Sequence, residues 1–98
     1  MNTEIITAED LIVQSEGFLV SEMDGEKVML NIESGKYYNL GRIGGRIWEL
    51  AESPISVTGM VEQLVAEYEI EPDTCRQQVE RFVNQLATEG LIRVTRAE

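Results

Sequence analysis

The chain has 98 residues, 43% of them hydrophobic and 27% charged, a length that supports one hydrophobic core and a composition that demands no disorder. Its 8 basic and 18 acidic side chains leave a formal charge of −10 at pH 7, which opposes the counterion release behind nucleic-acid affinity and disfavours DNA or RNA as partners. With no histidine and one cysteine, Cys75, the commonest general base, the commonest metal ligand, a Cys–His pair and a C-x-x-C spacing are all missing, so neither catalytic residues, a metal nor a cofactor is expected.

The opening Met1-Asn2-Thr3-Glu4 lacks the positive start and apolar run of a secretory signal, and no apolar segment approaches the roughly 18 residues that span a bilayer. A cytoplasmic protein without a membrane partner is the expectation. Residues up to about Asp10 carry few apolar anchors, and Leu11-Ile12-Val13 reads as a short strand leading to Phe18-Leu19-Val20-Ser21-Glu22-Met23. Asp24-Gly25 is a turn signal, after which Val28, Leu30 and Ile32 alternate with Lys27, Met29, Asn31 and Glu33, the pattern of a half-buried strand. A second turn, Glu33-Ser34-Gly35-Lys36, reverses the chain into Tyr37-Tyr38-Asn39-Leu40. Three strands joined by tight turns predict an antiparallel meander with the third strand at an edge, where unpaired N–H and C=O groups need a cover or a guest.

From Gly41 the period changes to 3.6, with Ile43, Ile47, Leu50 and Ala51 on one face and Trp48 beside them, until Ser53-Pro54 ends a first helix. Gly44 or Gly45 allows that helix a close approach to the sheet, and the glycine spacing fits no phosphate-binding loop. Ser56 is a good N-cap for a second helix bearing Val57, Met60, Val61, Leu64, Val65 and Tyr68. Pro72 and Asp73 open a third that runs to about Glu89, with Cys75, Val79, Phe82 and Leu86 as its central buried stripe. Gly90 caps it before the strand-like Leu91-Ile92-Arg93-Val94. Cys75 reads as a small core residue, and Glu62, Glu67, Glu69, Glu71 and Glu80 read as solvated charges. Two helices and a following strand also describe a winged helix-turn-helix, but the third helix carries no basic stripe and the chain ends before a second wing strand, which disfavours a DNA-binding regulator.

One shoulder of the third helix carries Val83 and Ala87 with Arg76 and Glu80; the opposite shoulder carries Gln78, Gln85 and Glu89. Either the first shoulder lies beside the open edge and makes a groove for an extended peptide, or it simply packs on the sheet.

The order of Asp24-Gly25, Ser34-Gly35-Lys36-Tyr37-Tyr38, Gly44 with Ile47-Trp48-Glu49-Leu50, then Phe82, Leu86 and Gly90-Leu91-Ile92 resembles PqqD-like proteins from about Phe18 to Ile92. The family often has Asn where this chain has Gly41. The resemblance implies an α+β, winged helix-turn-helix-like fold: an N-terminal three-stranded antiparallel sheet followed by a three-helix bundle, one domain over residues 1–98 with an ordered core of about 11–95. It implies a non-catalytic RiPP recognition element that binds the leader segment of a precursor peptide by strand addition. By this resemblance the peptide-binding residues are Lys36, Tyr37, Tyr38, Asn39 and Leu40 on the strand and Arg76, Val79, Glu80 and Val83 on the helix. The similarity is greatest to stand-alone lasso-peptide members, whose partners are a transglutaminase-like leader peptidase and a cyclase; a carrier for a radical SAM enzyme is the alternative.

Overall fold

The computed structural model describes residues 6–96, and the opening Met1-Asn2-Thr3-Glu4 segment lies outside them. Its elements are β1 (Leu11–Gln14), β2 (Phe18–Met23), β3 (Glu26–Asn31), β4 (Tyr37–Leu40), α1 (Gly41–Leu50), β5 (Ile55–Ser56), α2 (Val57–Glu67), α3 (Pro72–Thr88) and β6 (Ile92–Thr95). The expected meander forms a three-stranded antiparallel sheet in the order β2-β3-β4. The first predicted strand does not join it: β1 lies between β5 and β6 in a second three-stranded antiparallel sheet. That small sheet ties both ends of the described chain to the helices, and Ile6 is buried with the core.

Local chemistry accounts for most of the boundaries. Asp24 and Gly25 both take left-handed backbone angles (φ 56° and 81°), the pair a two-residue type I′ hairpin requires. Ser56 Oγ accepts the Gly59 N–H at 3.0 Å and caps α2, while Glu71 caps α3 by accepting from Thr74 N at 2.9 Å with Pro72 in the first turn. Gly90, at φ 81°, closes α3, and the Leu91 N–H returns to the Leu86 carbonyl at 2.8 Å. At the entry to α1, Gly41 (φ 74°) gives up its own side-chain cap and its N–H is taken by Asn39 Oδ1 at 2.9 Å. α1 ends at Leu50, three residues before Ser53, and Ala51 closes it with bonds to Ile47 and Trp48 carbonyls.

Two expectations about burial are corrected. On β3 the buried residue is Met29, fully inaccessible, with the Lys27 side chain beside it; Leu30 and Ile32, 37% and 61% exposed, face outward. On α3 the central stripe is Cys75, Val79, Val83 and Leu86, and Phe82 is only half-buried.

The two glycines of α1 separate its contacts. A Cβ on Gly45 would meet Lys27 Cγ at 2.6 Å and Lys27 Cβ at 3.0 Å, and one on Gly44 would meet the Phe82 ring at 2.6 Å. One glycine admits the sheet and the other admits α3. Glu49 reaches Lys27 at 2.8 Å, and Arg46 bridges Glu49 (3.3 Å) and Glu67 (2.6 Å), so charge pairs pin β3 and the end of α2 to α1. Glu67 and the capping Glu71 are therefore partnered rather than merely solvated, a third correction.

Gly45→Ala gains up to about 1 kcal/mol of helix propensity but forces the stem of Lys27 and β3 to move, an overpacking cost of about 1–3 kcal/mol, and a net loss is expected in urea denaturation. The Arg46 guanidinium, helped by Gln63, holds the Glu67 carboxyl down at about 2, and Lys27 lowers Glu49 in the same direction. Because these folded values lie below the ordinary carboxylate value of 4.5, their contribution is complete above that pH and is lost as pH falls toward 2. Thermal unfolding followed from pH 7 downward should weaken mainly in that window, and Glu67→Gln should flatten the decline.

Candidate functional site

β4 pairs with β3 on one side and has no strand on the other among the described residues. The Asn31 N–H bonds the Lys36 carbonyl at 2.8 Å, which sets the phase of the ladder: Lys36 and Tyr38 turn their main-chain groups toward β3, and Tyr37 and Asn39 turn theirs outward. Side chains alternate across the other axis. Tyr38 and Leu40 are half-buried toward the helices, while Tyr37 and Asn39 are exposed.

Beside this edge runs the C-terminal half of α3. Between them lies a groove of about 560 Å³ with Tyr38, Asn39 and Leu40 on the strand side, Arg81, Phe82, Gln85 and Glu89 on the helix side, and Leu86 and Leu91 beneath. The Tyr38 hydroxyl donates to Glu89 Oε1 at 3.2 Å across it. Partial burial, with the Glu89 carboxylate second, pushes the Tyr38 phenol up, so it stays a donor throughout the physiological range. Such a site has apolar walls for side chains, a free ladder edge for a backbone, and a few polar groups on its rim. It has no pair of groups arranged as nucleophile and base. Cys75 is buried away from the groove and burial raises its thiol.

Of the residues singled out from the sequence, Tyr38, Asn39 and Leu40 line the groove; Lys36 and Tyr37 continue the same edge, exposed. The helix residues fall elsewhere. Val83 is wholly inaccessible in the core, and Val79, 1% exposed, is reached only from a smaller neighbouring cavity. Arg76 and Glu80 are half-buried and line neither cavity. Of the two placements open to the Val83 shoulder, the structure takes the one in which it packs. The opposite shoulder, with Gln85 and Glu89, faces β4 together with Phe82. Arg81, Asn84 and Thr88 on the groove wall carried no sequence signal, since on a helical wheel they read as solvent positions.

The family model for coenzyme PQQ synthesis protein D (PqqD) matches residues 26–92, which include the whole of β3, β4, the three helices and the start of β6. Among solved structures, TbiB1 in complex with the TbiA(beta) leader peptide is similar at 28% identity and TM-score 0.75, over 88% of this chain and 99% of that one. A lasso peptide synthetase B1 complexed with the leader peptide, at 21% identity and TM-score 0.64 over 84% of this chain and 96% of that one, shares the fold. No curated protein matches the chain in sequence. A match that takes in both the open strand and the helix facing it places this chain in the PqqD family.

Proposed function

We propose that this chain is a non-catalytic recognition protein that binds the leader segment of a ribosomally synthesised precursor peptide by adding it as a strand to β4, and presents it to the leader peptidase and cyclase of a lasso-peptide pathway in the cytoplasm. The observation that carries this reading is the unpaired β4 edge beside an apolar groove, where outward main-chain groups of Tyr37 and Asn39 meet walls built from Phe82 and Leu86. Main-chain bonds supply affinity, and the pockets for alternate side chains supply selectivity. The likeness to TbiB1, a protein solved with a leader peptide, over nearly all of that chain supports leader binding, and the fold shared with a lasso peptide synthetase B1 also solved with its leader peptide favours a lasso pathway over a carrier for a radical SAM enzyme.

Handing the cargo over requires a surface of its own. Leu19, Leu30 and Tyr37 are paired in one row across β2, β3 and β4 and are 58%, 37% and 70% exposed, with Ile32 beside them at 61%. This apolar outer face is continuous with the β4 edge through Tyr37, so a leader peptidase seated on it would lie next to a peptide held there.

Two measurements test these statements. Tyr37→Pro removes an outward N–H without touching the β3 ladder, and in calorimetric titration with the cognate leader it should weaken binding by about tenfold or more relative to Tyr37→Ala, since a charge-free main-chain bond contributes about 1 kcal/mol and proline also blocks close approach. Equal binding by the two variants would remove the strand-addition model. Leu30→Glu should leave leader affinity within about twofold, as an exposed site away from the groove, yet abolish stimulation of leader cleavage by the peptidase.

A further inference from the structure

The groove beside β4 has two charged side chains on its walls, Arg81 and Glu89. Arg81 lies on α3 and Glu89 caps its end, so the rise of the helix sets them about 12 Å apart, at opposite ends of the groove. Their surroundings differ. The Glu89 carboxylate takes the Tyr38 hydroxyl at 3.2 Å and stands at a helix C-terminus with no basic residue in the last turn, which makes that end negative. Around Arg81 the helix surface is neutral: the residues one turn away on either side are Gln77, Gln78, Asn84 and Gln85. In a chain with 18 acidic and 8 basic residues, carboxylates take up Lys27, Arg46 and Arg96. Arg81 is exposed and has no ion pair or side-chain hydrogen bond among the described residues, and the Gln85 amide beside it has no hydrogen bond among them either.

Resting on the strand-addition reading, we infer that Arg81, with Gln85, is a specificity-determining site for an aspartate or glutamate side chain in the N-terminal half of the bound peptide. Direction supplies the argument. A guest antiparallel to β4 continues the pattern of the sheet and runs the same way as α3: Leu40, where β4 ends, shares the groove wall with Phe82, and Tyr38 reaches Glu89. Its N-terminal half therefore passes Arg81 and its C-terminal half passes Glu89. The guanidinium presents paired N–H donors that match the two oxygens of a carboxylate, and the Gln85 amide adds another donor on the same wall. Inside a precursor peptide, carboxylates come from Asp and Glu. The guest also shields the pair from water, which strengthens it over one in open solvent. An acidic residue in the C-terminal half meets the Glu89 carboxylate and the negative end of α3 instead; Lys36, exposed on the strand, is not part of the groove wall. The peptide class is thereby narrowed from apolar extended segments to those with an acidic residue ahead of the apolar one.

Calorimetric titration with the cognate leader tests the site. Arg81→Gln keeps an exposed helical position polar and should weaken binding about threefold to tenfold, between the worth of an exposed ion pair and that of a shielded charge-assisted hydrogen bond. Arg93→Gln makes the same charge change at an exposed position outside the groove and should stay within twofold of the wild type. Replacing the acidic residue in the N-terminal half of the bound segment by glutamine should cost the wild type the same factor and leave nothing further for Arg81→Gln to remove. Arg81→Glu should bind the cognate leader more than tenfold more weakly and recover most of that loss with a leader bearing lysine at the acidic position. An isomeric leader, its acidic residue exchanged with a neutral one four positions later, should bind the wild type as weakly as the glutamine leader or more so. Arg81→Gln within twofold of the wild type, an equal loss from Arg93→Gln, no coupling in the glutamine or lysine leaders, or a cognate leader with no acidic residue in that half overturns the site while leaving strand addition intact. A wild-type protein that fails to bind the leader overturns the parent reading instead.

Discussion

The close approach at Gly44 and Gly45 is the constraint on which the site depends. α1 touches the sheet through one glycine and α3 through the next, so the separation between β4 and α3 is set by the thickness of a helix with no side chain at either contact. A methyl group at either position would push one wall of the groove away from the other. The charge pairs from Lys27 to Glu49 and from Arg46 to Glu67 hold this arrangement laterally, but they are partly exposed and their attraction is screened, so they orient the helix more than they stabilise it. Packing sets the distance and charge sets the rotation.

The same contact explains which parts of the architecture were legible in the sequence. Turns and caps were, because Asp24-Gly25, Ser56, Pro72 and Gly90 act through their own backbone preferences and need no distant partner. The face of β3 was not. Alternation separates Val28, Leu30 and Ile32 from Lys27 and Met29, yet burial of the second set depends on Gly45 meeting the Lys27 stem and on Glu49 neutralising its ammonium, both distant in sequence. A buried lysine stem beside a methionine is a core face that hydropathy alone assigns to solvent.

On α3 the ambiguity was angular. Phe82 and Val83 are neighbours at 100° on the wheel, and either can sit at the centre of an apolar stripe that includes Val79 and Leu86. What decides between them is the bare patch at Gly44, which receives an aromatic ring and leaves Val83 to the interior. The position of β4 at a sheet edge followed from the turn residues; which side of α3 faces that edge required knowing which side another helix occupies. Local chemistry locates an edge, whereas a groove is a relation between elements.

An open edge next to an exposed apolar row is a hazard for any small protein, and this chain contains the means of restricting what pairs there. β4 is four residues long, its flanking Lys36 puts a charge at the start of the edge, and the entry into α1 at Gly41 cuts the strand short. A net charge of −10 on 98 residues repels a second copy as it approaches, while a neutral or basic segment meets no such barrier. Self-pairing would also bring together two short edges with no α3 groove between them to receive side chains. Under the strand-addition proposal a foreign extended peptide would gain both the ladder and the pockets, so the asymmetry between guest and self would arise from the helix beside the strand as much as from the strand itself.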